Sequence, residues 1–199
     1  HRTSPADLFA GDTLAPNQMD LNAVHEILWP VFTNPNITKI GHNLKFDLHI
    51  LANEGWDISK LRPIDDTMLL SYALHGATHN HGLDELATRY LGHENISFAS
   101  LFPANLRDAD RRFEMLDIAA ATPYAAEDAT ICYALYEKMR PELDTRPELK
   151  KLSTECDLPL MPILLQMERA GVLVNKSQLN QLSGVFHAQL TELEQQIWN

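Results

Sequence analysis

What most limits the fold of this chain is a change of pattern along its length. Before about residue 145, short β-prone runs alternate with amphipathic helices; after it, only long helical patterns remain. The first alternation is Lys39-Ile-Gly-His-Asn-Leu-Lys-Phe-Asp47. Residues 37–40 read as a short strand, Gly41 punctuates it, and Leu44, Leu48 and Leu51 share a helical face that stops near Gly55. The second is Pro63-Ile-Asp-Asp-Thr-Met, a short strand passing into a helix over residues 68–74. An α/β fold followed by long helices is expected, with one domain over residues 1–145 and a helical one over 146–199.

Around this frame, Leu21, Val24, Ile27, Leu28, Val31 and Phe32 recur at helical spacing behind Asp20, a candidate N-cap, in a helix that contains Pro30. Asp65 and Asp66 precede a helix and read as its cap and first-turn charges. Residues 83–91 form a short helix and 92–112 an irregular stretch anchored by Phe98, Leu101 and Phe102. Thr122-Pro123 predicts a helix start, with Thr as cap and Pro at the first position, running to about Met139 before a linker over residues 140–148. After a helical stretch interrupted by Pro159 and Pro162, a last amphipathic helix carries Leu179, Leu182, Phe186, Leu190, Leu193 and Ile197, with Asn175 as its cap.

Charge and composition narrow the function. A formal net charge of −11 argues against a broad basic surface that binds nucleic acid by counterion release. It leaves room for a narrow site in which carboxylates hold Mg²⁺ for phosphodiester chemistry. No apolar run approaches the roughly eighteen residues that a membrane helix needs. The two cysteines, Cys132 and Cys156, are too few for a disulfide framework or a zinc site and suit a reducing cytoplasmic setting. His75, His79 and His81 lie in a glycine-flanked polar loop, a commoner setting than a metal cluster. The chain opens on His1 with a Ser-, Pro-, Gly- and Asp-rich segment, which predicts that it is part of a longer protein.

Two pairs of residues carry chemistry. Tyr124 and Asp128 stand four apart on one helical face, and Asn43 and Asp47 have the same spacing where a strand's carboxyl end meets a helix. Asp47 and Asp128 are candidate metal ligands, Tyr124 can orient an attacking water, and Asn43 can donate to a phosphate or sugar.

In order, GHNLKFDLHIL, DDTMLLSYALHG, GLDELATRYLGHENISF, TPYAAEDAT and PLMPILLQMERAGVLV resemble the 3′-5′ proofreading exonuclease domains of the bacterial DNA polymerase I family, over nearly the whole chain. The resemblance implies a ribonuclease H-like sheet and hydrolysis of single-stranded DNA 3′ ends with two Mg²⁺ ions, Mn²⁺ being able to substitute. It also implies a polymerase domain in the same chain, beginning near Met167-Glu-Arg-Ala-Gly-Val172, and a bacterial cytoplasmic, nucleoid-associated location. It makes Asp47 and Asp128 metal ligands, Tyr124 the residue that positions the water, and Asn43, Leu83 and Phe98 contacts to the strand, Phe98 by stacking. The family's first motif, Asp-x-Glu, occurs nowhere in the 199 residues. The resemblance sets it, and the N-terminal strands that carry it, upstream of His1, and predicts that the chain alone is inactive. Two rivals are an RNA-trimming enzyme of the ribonuclease D type, and a non-catalytic module that guides a strand.

Overall fold

The computed structural model describes residues 18–198, so the Pro- and Asp-containing opening segment through Asn17 lies outside the described residues. Two compact units divide after Leu165, with Gln166 opening the second.

In the first unit, α1 (Leu21–Phe32) starts as expected: the Asp20 carboxylate accepts the amides of Asn22 and Ala23 at 2.9 and 3.3 Å. β1 (Lys39–Gly41) leads into α2 (Leu44–Asn53), and β2 (Ile64–Asp66) into α3 (Thr67–His75). The strands pair in parallel with Gly41 opposite Asp66, so both strand-to-helix transitions lie at one end of the sheet. α4 (Leu83–Leu86) continues into a wide turn over Ala87–Leu91, and single turns at Phe98–Leu101, Asp108–Asp110 and Phe113–Met115 fill the irregular stretch. α5 (Ile118–Asp144), α6 (Pro147–Leu152) and α7 (Leu158–Ala170) follow, the last running past the division after Leu165. α8 (Lys176–Trp198) lies in the second unit; Asn175 Oδ1 accepts the Gln178 amide at 3.1 Å at its start.

Three local expectations are corrected. α5 begins at Ile118 rather than at Thr122. Asp117 caps it, accepting the Ala119 amide at 3.0 Å, and a first turn of alanines outweighs the amide lost at Pro123. The helix also runs through the expected linker to Asp144, because buried Leu143 and the Arg140 ion pairs hold its last turn past Pro141. Asp65 is no first-turn charge: it is 3% exposed in β2 and meets Arg140 Nη1 at 2.9 Å.

Two clusters form the core. Ile131, Leu135, Met139 and Leu143 recur every fourth residue along α5 and close on Leu70 and Leu74 of α3 and on Leu86 and Ala87. Leu48, Leu61, Met161 and Leu165 form the other, with Trp29, Phe32 and Ile64 packed against it. Burying side chains of this size stabilises the fold by about 1.5–3 kcal/mol each before the entropy of ordering is counted. α5 is thereby fixed against α3, and its N-terminal half is carried towards the strand ends. Among the described residues no helix is long and apolar enough to cross a membrane.

Candidate functional site

The site begins with a capping residue. Asp66 ends β2 and caps α3, accepting the amides of Met68 at 2.8 Å and Leu69 at 3.3 Å on Oδ1. The same carboxylate reaches across the sheet to the start of α2, accepting the Leu44 amide at 2.7 Å on Oδ2 and the Asn43 amide at 3.2 Å on Oδ1. One buried acid thus satisfies the orphan amides of two helices. Asn43 is released from capping: its side chain is exposed and makes no cap hydrogen bond, and its backbone is left-handed at φ 56°. Asparagine tolerates that conformation better than most residues.

Asp47 occupies the first turn of α2 and is exposed. Partial desolvation pushes its carboxyl above the usual carboxylate range; its own backbone amide offsets part of this and Asp66 adds to it. On α5, Asp128 and Tyr124 are half-buried one turn apart. Asp128 is likewise pushed up, first by desolvation and then by Asp84 and Glu127. Burial pushes the Tyr124 phenol up, with Asp128, Asp84 and Glu127 acting in the same direction, so the hydroxyl stays protonated as a donor.

Cys132 lies one turn beyond Asp128 on α5 and faces α3. Its thiol is buried and lies 3.7 Å from Thr67 Oγ1. Burial pushes it up, Thr67 partly offsets this, and the carboxylates of Asp66, Asp47 and Asp128 push it up further. Thr67 Oγ1 also donates to the Gly41 carbonyl at 3.2 Å and pairs with His42 Nδ1 at 2.9 Å, which ties α3 to the end of β1. Burial holds His42 below its ordinary value.

Phe98, 39% exposed, meets Tyr124 edge-on with ring centroids 6.3 Å apart. Phe113 lies 5.9 Å from Tyr124 and stacks on Phe98 at 6.4 Å. Leu83, the first residue of α4, packs half-buried against the Leu70–Leu143 core. Among the described residues no three His, Cys, Asp or Glu side chains group as a metal site. Sequence reading missed Asp66 as a cross-sheet cap, and Asp84, Glu127, Phe113 and Cys132 as neighbours of the centre. Adjacency to Asp128 is the sequence signal that could have found Glu127; the others come together only in the fold.

The sequence model of a family described as 3′-5′ exonuclease matches residues 6–144. The chain belongs to that family and is an enzyme domain. Its kin are DNA polymerases. Over 184 residues it is 34% identical to DNA polymerase I of Pseudomonas aeruginosa, a match that covers 92% of this chain and 20% of that protein. Over 198 residues it is 33% identical to DNA polymerase I of Rhizobium leguminosarum, covering 100% of this chain and 19% of that one. A solved structure, the POL domain of Pol1 from M. smegmatis in complex with DNA primer-template and dNTP, is similar at TM-score 0.54 and 28% identity, over 90% of this chain and 26% of that chain. The chain therefore spans about a fifth of the length of the curated relatives it matches.

Proposed function

We propose that this chain is the greater part of a proofreading exonuclease domain, residues 1–145, joined over 146–199 to the start of a polymerase domain. In the intact protein that domain removes deoxynucleoside monophosphates from single-stranded 3′ ends by metal-assisted hydrolysis. The observation that carries this reading is that Tyr124 and Asp128 stand one turn apart on α5 with the exposed ring of Phe98 edge-on to Tyr124, while Asp47 on α2 and Asp128 both act electrostatically on the buried Cys132 thiol.

Mg²⁺ suits this donor set, because Asp47 and Asp128 offer hard carboxylate oxygens that are partly desolvated. When bound, divalent ions would supply charge stabilisation to the phosphate oxygens, and Mn²⁺ would serve as well. The Tyr124 hydroxyl, kept protonated, holds and orients the attacking water. Asn43, free of capping, donates to the phosphate or sugar, while Phe98 and Leu83 receive the terminal bases, Phe98 by stacking. The reading assigns the chain a ribonuclease H-like sheet. β1 supports this: among the described residues it pairs with β2 alone, and an apolar cavity of about 340 Å³ lined by Val31, Phe32, Ile40 and Leu48 lies beside it, a surface suited to further strands. A bacterial, cytoplasmic, DNA-associated protein fits the same reading.

Two carboxylates cannot fix two ions as four can, so the 199 residues alone should trim poorly. The test compares them with a form extended upstream to an Asp-x-Glu, on a 3′-labelled single strand with Mg²⁺. Trimming by the extended form, abolished by Asp128→Ala, is expected; vigorous Asp128-dependent trimming by the short form would overturn the incomplete-site reading. Preference for an RNA 3′ end would favour a ribonuclease D-like function, and loss of all trimming in both forms a strand-guiding one.

A further inference from the structure

Glu127 and Asp128 are adjacent carboxylates on α5, yet they meet different surroundings. Glu127 has both oxygens engaged by one loop: Oε1 lies 2.8 Å from His93 Nε2, and Oε2 accepts the Ile96 amide at 2.7 Å. The same loop is held from α4, where Asp84 Oδ1 accepts Asn95 Nδ2 at 2.9 Å. Two residues past Ile96 the chain enters the turn that carries Phe98, whose ring meets Tyr124 edge-on. Glu127 is thus a direct tie between the helix that bears Tyr124 and Asp128 and the loop that leads into Phe98.

We propose that Glu127 is a positioning residue. By clamping residues 93–96 to α5 it fixes the height of the Phe98 ring over Tyr124, and so sets how well the site grips an unstacked terminal base. The inference rests on the exonuclease reading and deepens it. Its physical basis is that a carboxylate accepting a backbone amide and an imidazole together holds a short loop to one geometry, whereas an exposed aromatic on an unclamped loop loses stacking to conformational freedom. Both Glu127 oxygens are thus engaged by the loop.

The experiment uses the intact protein that carries this chain and measures steady-state hydrolysis of a single-stranded oligonucleotide. Glu127→Ala should raise KM about tenfold with a smaller change in kcat, because what is lost is stacking of a base on Phe98. Phe98→Ala should do the same, and the double variant should be no worse than Phe98→Ala. Glu127→Gln, which keeps an oxygen acceptor for the Ile96 amide, should recover most of the loss. Thermal unfolding of each variant separates a folding defect from a shift in KM. Losses that multiply in the double variant, or a Glu127→Gln variant as impaired as Glu127→Ala, would overturn the positioning role. Trimming that survives Asp128→Ala would instead overturn the exonuclease reading beneath it.

Discussion

The carboxylate of Asp66 accepts the Leu44 amide at 2.7 Å, joining the end of one strand to the first turn of the helix that follows the other, 22 residues away in sequence. The bond decides the orientation of α2, on which Asp47 stands, and it leaves Asn43 unencumbered. Asp66→Ala removes the acceptor for amides of two helices, so it should destabilise the fold by about 2–4 kcal/mol, more than a single cap would. Chemical denaturation measures this; a loss no larger than about 1 kcal/mol would mean that Asp66 caps α3 alone.

Asn43 offers a way to separate backbone from side chain. Its φ of 56° suits glycine, so Asn43→Gly should leave stability nearly unchanged while weakening binding of a single strand. Asn43→Val should cost about 1–2 kcal/mol because a β-branched residue resists the left-handed region. Unfolding curves and strand titrations on both variants check the pair; unimpaired strand binding by Asn43→Gly would remove the side chain from the site.

The ion pair of Asp65 and Arg140 should show its worth through pH. Desolvation raises Asp65; its hydrogen bond from the Asp66 amide and the Arg140 charge counter the rise. Arg140→Met should cost about 2–4 kcal/mol near neutral pH, by leaving a buried carboxylate without its cation, the upper range being discounted for the partial exposure of Arg140. In the variant the folded-state pKa rises further above the unfolded value, so the folded state takes up a proton that the unfolded chain does not hold. Its stability is therefore greatest below the unfolded pKa and falls as pH rises through the folded one. The gap between the two proteins should narrow as pH drops towards about 4. A gap independent of pH, read from denaturation midpoints, would show that packing of the Arg140 stem accounts for the loss.

Asp128 should trade stability for activity. Because desolvation, Asp84 and Glu127 all disfavour its ionised form, Asp128→Asn should raise the unfolding midpoint in metal-free buffer at neutral pH, with the gain shrinking as pH falls and vanishing below the ordinary carboxylate range, where folded and unfolded chains are both protonated. The same variant should lose about a thousandfold in hydrolysis, the worth of several kcal/mol of charge stabilisation. A variant no more stable than the parent would place Asp128 in open solvent.

Tyr124→Phe keeps the ring against Phe98 and Phe113 and deletes only the hydroxyl. Hydrolysis should slow about a hundredfold with strand binding almost unaltered, as expected when one water is no longer oriented. Equal losses in kcat and in affinity, measured by single-turnover kinetics and strand titration, would make Tyr124 a binding residue.

The sequence by itself determined whatever depends on neighbours in the chain. Asp20 and Asn175 were legible as caps, the two strand-to-helix passages at Gly41 and Asp66 as junctions, and Tyr124 with Asp128 as one face of a helix, because periodicity and cap chemistry act over a few residues. The tertiary structure alone decided the rest. Local rules start a helix at Thr122-Pro123 and end it near Met139, but the Asp117 cap with its turn of alanines and the burial of Leu143 extend α5 beyond both points. Asp65 and Asp66 look alike in sequence, yet parallel pairing turns one towards Arg140 and the other towards the amides of two helices. Glu127 and Asp128 are neighbours in sequence, yet the fold gives one of them a loop to hold. Burial and long-range hydrogen bonds, which no spacing encodes, set what each carboxylate does.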